Sequence, residues 1–334
     1  MQNTKTMKIK MSTGEKIFSV INYIFLALVA VACLYPMLYV LFASFSNSNQ
    51  LMRHTGILLW PQGFSAGAYE MVFKNPMIAR GYLNTMFVLV MSLILQITLT
   101  SLGAYFLSRR NVMFQKPIML LITFTMFFSG GMIPTYLNMK SLHLTGSLWG
   151  LILPFMISVY NLIILKTSFA SIPESLIEAA RIDGASHLKV LFSIVLPLSK
   201  AILAVMVLYY GVGVWNGWFW ASAILRDREM YPLQLVLREI LLQNSTSNMT
   251  GGTSVGDVES VAATVKYATI MVATVPILCI YPFLQKYFFQ CFNLFGYFFA
   301  QADTGIGHRT GDIAQIFFFR CSLQRLRSPA RWQL

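Results

Sequence analysis

From Ile17 to Ala43 the chain runs through apolar residues without a single Asp, Glu, Lys or Arg. A helix needs ~20 such residues to cross ~30 Å of hydrocarbon. Similar runs follow at Tyr82–Leu107, Ile118–Tyr136, Ser147–Lys166, Ala201–Ile224 and Val265–Gln285. Inside a bilayer no water satisfies the backbone, so each run is expected to be a helix. The runs are continuous rather than alternating, which argues against a porin-like barrel. Composition agrees: 56% of residues are hydrophobic and 11% charged, where soluble domains carry about 25% charged residues. The expectation is an all-α integral membrane protein with six transmembrane helices over 17–287, after a short segment 1–16.

The first run follows Lys5, Lys8, Lys10 and Lys16. It is too long for a signal peptide and lacks a small-residue cleavage site, so it reads as an uncleaved anchor. With the N-terminus placed inside, the inner segments hold about twice as many Lys and Arg as the outer ones, the bias expected of cytoplasmic loops. Both termini are therefore expected in the cytoplasm. Much of that excess comes from the C-terminal tail, which carries Lys286, Arg309, Arg320, Arg325, Arg327 and Arg331.

The formal net charge of +13 is explained by this orientation rather than by nucleic-acid binding. Cys33, Cys279, Cys291 and Cys321 form no Cys-x-x-Cys pair, and His54, His143, His187 and His308 are scattered. Neither a metal site nor a disulfide framework is indicated. There is no phosphate loop of the Gly-x-x-x-x-Gly-Lys-Ser/Thr type, so the chain is not expected to hydrolyse ATP. No nucleophile, base and orienting residue can be assembled into a catalytic set. Gly211 and Gly213 read as small residues at a helix crossing.

Two outer loops are long, Ser44–Gly81 and Leu225–Thr264. Within the first, Ser65–Asn75 reads either as a short interfacial amphipathic helix or as a packed loop. Within the second, Gln243–Gly256 is rich in Asn, Ser, Thr and Gly, and is expected to be a mobile loop.

The segment between the fourth and fifth runs, about 171–200, carries the most information. Ser171 can cap a helix, Pro173 suits its first turn and Glu174 suits the positive end of its dipole. Leu176, Ile177 and Ala180 recur at helical spacing. Gly184 offers a stop, and a second amphipathic stretch begins near Ser186. In that stretch Leu188, Leu191 and Phe192 are expected to share a face, followed by Val195, before a turn or kink at Pro197. Two short helices here make a protruding knob. Ala179 and Ala180 permit close approach, and Glu178 and Asp183 leave carboxylates for a basic partner. On composition alone, a solvated interhelical loop fits as well.

The string Glu178-Ala-Ala-Arg-Ile-Asp-Gly-Ala185, followed by Ile194, Leu196 and Pro197, resembles the "EAA" loop of binding-protein-dependent ABC importer permeases. The flanking stretches agree: Asn84-Thr85, Gly103 to Arg109, Met132 to Tyr136, Trp215 to Trp220, and Leu225 to Glu239. They resemble the carbohydrate-uptake branch, near the maltose-type inner permease and nearer the lipoprotein- and polysaccharide-type permeases. One departure is Ala201, where the family often has proline.

The resemblance implies a type I ABC importer permease fold in the bacterial cytoplasmic membrane. Its coupling helix docks on an ATPase subunit through Glu178, Ala179, Ala180, Asp183, Gly184, Leu196 and Pro197. It also implies ATPase subunits that bind the ATP and Mg, a second and unlike permease subunit, and an extracellular sugar-binding protein; this chain itself would hold no cofactor. Rival readings are a permease of the same fold for a non-sugar solute, a stand-alone secondary carrier, and a membrane-embedded enzyme or sensor. A proton- or sodium-coupled carrier would need ionisable residues deep in its spans, and these runs contain almost none.

Sugar recognition needs aromatic faces beside amide or hydroxyl groups in a wetted cavity. Trp215, Asn216 and Trp218 are the candidates for the substrate path, with Trp220 nearby. Helical spacing puts Trp215 and Trp218 on one side, and Asn216 and Trp220 on another. An outer aromatic belt is the other account of these tryptophans. Gln96, Asn161, Asn84 and Tyr160 are further candidates, or else bond helix to helix. The resemblance covers most of Lys16–Tyr287 and ends near Phe288. The tail 288–334 mixes aromatics with Arg and is expected to be disordered, either a frameshifted or read-through end or an unusual native tail.

Overall fold

A computed structural model describes residues 13–109, 112–247, 264–280, 282 and 285. The tail 288–334 and most of the polar stretch 243–256 lie outside the described residues. The helices, in chain order, begin with α1 Thr13–Ser44, α2 Ser48–Arg53, α3 Gly67–Lys74 and α4 Pro76–Ser108. Then come α5 Gln115–Phe127, α6 Met132–Ser141, α7 Trp149–Ile152 and α8 Val159–Ala170. Next are α9 Glu174–Ile182, α10 His187–Val190, α11 Leu196–Leu198, α12 Lys200–Trp215, α13 Phe219–Ile224 and α14 Leu233–Ser247. The last described helix is α15, Thr264–Ile280. Among the described residues the only β pairing is an isolated bridge between Ser46 and Phe64.

The first two expected spans are continuous helices, α1 of 32 residues and α4 of 33. The next three runs are interrupted. Helix α5 ends at Phe127 and α6 begins at Met132, with Gly131 at φ +86° between them. The fourth run is broken after Phe155 and resumes at α8, whose N-cap Ser158 accepts from the Asn161 amide. The fifth expected run, Ala201–Ile224, ends as a helix at Trp215 and restarts as α13. By length and composition the described helices supply two spans, or up to five if each bent pair is one span. Helix α1 leaves almost all its apolar side chains exposed, Phe25 at 62% and Val31 at 63% among them. In a membrane subunit such a surface is available to lipid or to another helix, where packing and not water exclusion sets association.

The chain divides into two compact units: residues 1–95, 129–156 and 211–279, and residues 96–128, 157–210 and 280–334. The core of the first gathers Val72, Ile78, Trp215, Leu233, Val236 and Val272. Helix α3 contributes Ala68 and Val72 to it while Met71 and Phe73 stay exposed, so Ser65–Asn75 resolves to the amphipathic helix. In the second unit α5 packs against α8. Helix α4 approaches α8 at Gly103, where a Cβ would sit 3.1 Å from Leu162 Cδ1.

Two packing expectations are corrected. A Cβ at Gly211 would make only ordinary contact with Leu89, at 3.9 Å, and one at Gly213 would meet nothing within 4 Å. These glycines therefore mark no close crossing among the described residues. The polar stretch expected as loop from Gln243 begins as helix, since α14 continues to Ser247.

Candidate functional site

The knob belongs to the second unit. Ser171 ends α8 instead of capping α9: its hydroxyl donates to the Ser168 carbonyl at 2.7 Å. Helix α9 starts from Pro173, which makes no side-chain cap. Glu174 in the first turn complements the dipole. The helix closes in a Schellman motif, with the Ala185 amide donating to the Ala180 carbonyl (2.9 Å) and the Gly184 amide to that of Arg181 (3.0 Å). Gly184 has φ +80°, the left-handed conformation that glycine adopts without a Cβ penalty. Ser186 then caps α10 by accepting from the Lys189 amide.

Only Ile177 of α9 is buried. Glu178, Ala179, Asp183 and Gly184 are exposed, as is Ile182 at 86%. After α10 the chain makes a π turn at Leu191–Val195, in which the Leu196 amide donates to Leu191. Pro197 comes next within α11, and its ring nitrogen has no proton to donate. Leu188 and Phe192, four apart, share one face, and Leu191 and Val195, also four apart, share another. Val190, Leu191 and Val195 are buried while Leu188 and Phe192 are 60% and 57% exposed. The face expected for Leu188, Leu191 and Phe192 together is thus split. At Ser199 the chain bends by 86° into α12. Leu196 is half-buried and Pro197 exposed.

The base of the knob is tied to α4. His187 Nδ1 lies 3.4 Å from the Tyr105 hydroxyl. Arg109 donates to the Phe169 carbonyl at 3.2 Å, in the last turn of α8. Its guanidinium also lies 5.1 Å from the centre of the Tyr105 ring. Burial holds its pKa below the usual guanidinium value, against the opposing pull of Tyr105 and Glu174.

The same unit holds buried polar groups. Thr100 and Tyr210 share a hydrogen bond of 2.8 Å, and the Tyr210 oxygen accepts from the Ser158 amide. Gln96 and Asn161 are buried, at 3% and 6% exposure. Gln96 is four residues before Thr100, on the same face of α4. Tyr160 is exposed against the Tyr209 ring.

The first unit contains a separate, open cavity of about 460 Å³. Asn216 and Trp218 line it, with Gln234 and Arg238 from α14 and Thr269 and Thr274 from α15. Trp215 is elsewhere: it is buried in the core against Tyr82. Because α12 stops at Trp215, helical spacing does not relate Trp215 to Asn216, Trp218 and Trp220. The pair that shares a wall is Asn216 with Trp218, not Trp215 with Trp218. Trp220 packs on Phe155.

The position of α14 is set from α4. Asn84 donates to the carbonyls of Glu229 (2.7 Å) and Tyr231 (3.2 Å), and the Leu233 amide donates to Thr85 Oγ1 at 2.8 Å. Gly81 lets the two chain segments touch, since a Cβ there would lie 3.1 Å from Leu233 Cα. Asn84 thus fastens a loop. Arg238 and Gln234 escape a reading of the sequence because they lie in a stretch expected as outer loop. Their spacing of four residues, with Leu241 three further on, is the signal that could have found them.

These features define a helical chain with several membrane-length apolar segments, an exposed helix–turn–helix knob and a polar-lined cavity. The chain belongs to the family described as binding-protein-dependent transport system inner membrane components, which matches residues 9–293. It is 42% identical over 279 residues to the polygalacturonan/rhamnogalacturonan transport system permease protein YtcP of Bacillus subtilis, covering 82% of this chain and 96% of that protein. It is 39% identical to Protein LplC of the same organism, covering 86% and 94%. A solved bacterial ABC transporter involved in importing the acidic polysaccharide alginate has a chain that superposes with a TM-score of 0.76 at 31% identity. The match covers 84% of this chain and all of that one.

Proposed function

We propose that the chain is one permease subunit of an ATP-driven importer of sugars or oligosaccharides, with six spans, both termini in the cytoplasm and α9 as its coupling helix. The observation that carries the reading is the ridge of exposed Glu178, Ala179 and Arg181 to Gly184, with Ala180 half-buried, closed by a Schellman turn and followed by a sharp bend into α12. A protruding, rigid element of this kind can transmit a push into a long helix. The names of the relatives supply the carbohydrate. The stroke comes from partner ATPase subunits that bind ATP and Mg. A second, unlike permease completes the pathway, and an external binding protein delivers the sugar.

The test uses the whole transporter in proteoliposomes. Glu178→Lys is expected to abolish uptake while the subunit still inserts and the ATPase still turns over. A cysteine at Ala179 is expected to react with an impermeant reagent only from the ATPase side, and to be protected by the ATPase. Normal uptake by the variant, or labelling from the opposite side, overturns the docking assignment.

A further inference from the structure

We infer that the cavity of the first unit is a carboxylate-recognising subsite for an acidic, uronate-containing oligosaccharide, with Arg238 as its anion-binding group. The inference rests on the carbohydrate-importer reading and narrows its substrate class. Arg238 lines the cavity, and its guanidinium carbon stands 3.8 Å from the centre of the Trp218 ring. Arg238 is exposed, and the quadrupole of the indole face attracts its guanidinium at that distance. The carboxylates of α14 and the loop before it have other partners. Glu229 pairs with Arg80 at 2.6 Å, Glu239 with Arg228 at 3.4 Å, and Asp227 accepts from the Glu229 amide. Among the described residues Arg238 has no carboxylate in ion-pair range.

A cation without a counter-ion on a cavity wall suits an anionic ligand. The planar guanidinium matches a carboxylate in two-point geometry, which an ammonium cannot do. Of the other polar wall groups, Gln234 and Asn216 offer amides, with one Asn216 N–H already given to the Val212 carbonyl, and Thr274 offers a hydroxyl oxygen whose proton goes to Ile270; Thr269 is fully buried and donates to Val265. Two similar proteins are named for polymers of acidic sugars, polygalacturonan and alginate. Thr85 and Asn84 pin the start of α14, the helix that carries Arg238.

The experiment is equilibrium binding to the purified, assembled transporter without its binding protein, using trigalacturonate and its fully methyl-esterified, neutral form. The acid is expected to bind more tightly than the ester. Arg238→Gln is expected to weaken the acid about tenfold or more and leave the ester within about twofold, the worth of one charge-assisted pair. Arg238→Lys should recover only part of the loss. Equal weakening of both ligands overturns the proposal, since the arginine is then structural. Uptake of neutral oligosaccharides by a transporter that rejects the acid also overturns it, while leaving the importer reading intact. Uptake of no carbohydrate at all, with another solute carried, overturns both.

Discussion

Arg109 at the end of α4 donates to the Phe169 carbonyl at 3.2 Å, one residue before α8 ends. The contact satisfies a terminal carbonyl and places a positive charge at the negative end of the α8 dipole. It also fixes the point from which the chain enters the knob. Replacing Arg109 with Gln leaves a hydrogen-bonding group but no charge. The expected cost is about 1 kcal/mol in stability, within the range of helix-terminus charge effects. The clearer expectation is functional: a lower ratio of uptake to ATP hydrolysed, with unchanged membrane insertion. An unchanged ratio would mean that α9 keeps its place without this tie.

Gly184→Ala isolates backbone strain from packing. A Cβ at Gly184 meets nothing within 4 Å, yet the residue sits at φ +80°. The substitution is expected to cost about 1 kcal/mol, and Gly184→Asn less, since Asn tolerates the left-handed region better. Thermal unfolding of the purified transporter checks the order Gly, Asn, Ala. If Ala matched Gly, the Schellman turn would not be the conformation in solution.

Gly81→Ala and Gly103→Ala form a contrasting pair. At Gly81 the new Cβ faces the Leu233 backbone, at 3.1 Å from Cα and 3.3 Å from N; at Gly103 it faces the Leu162 Cδ1 at 3.1 Å. A side-chain tip can rotate away, whereas a helix start cannot. Gly81→Ala should displace α14, stretch the Leu233–Thr85 hydrogen bond and cost about 1–3 kcal/mol, the range for overpacking. Gly103→Ala should cost less. Relative melting temperatures of the two variants decide it, and the reverse order would contradict the α4–α14 contact.

Helices α1 and α4 are legible in the sequence because a long charge-free run has one solution in lipid. The interruptions at Phe128–Gly131 and at Met156–Ser158 are not, since hydropathy counts composition and is blind to a glycine at φ +86° or a serine cap. The knob is readable in outline from Gly184 and the acidic residues around it. Its second half puts Leu188 and Phe192 on an exposed face and Leu191 and Val195 on a buried one, two i,i+4 pairs whose faces the apolar pattern alone does not rank. In the sequence Arg238 is only a loop charge bearing on orientation. Its place on a wall depends on Gly81, Asn84 and Thr85, more than a hundred positions away in the chain.

Trp215 separates packing from passage. Its indole Nε1 is buried without a hydrogen-bond partner among the described residues. An unsatisfied buried donor costs about 1–3 kcal/mol. Trp215→Phe removes that donor and keeps an aromatic ring against Tyr82, 6.3 Å away between centroids. The loss of ring volume and the relief of the orphan donor oppose each other, so the net change is expected within about 1 kcal/mol. Trp215→Ala leaves a cavity among Val72, Ile78 and Leu233 and should cost about 3–5 kcal/mol. Substrate affinity should track neither change, because Trp215 does not line the cavity that Asn216 and Trp218 share. Unfolding curves and ligand binding on the same two variants test both halves. A Trp215→Phe protein that keeps its stability but loses binding would move this residue from the core to the substrate path.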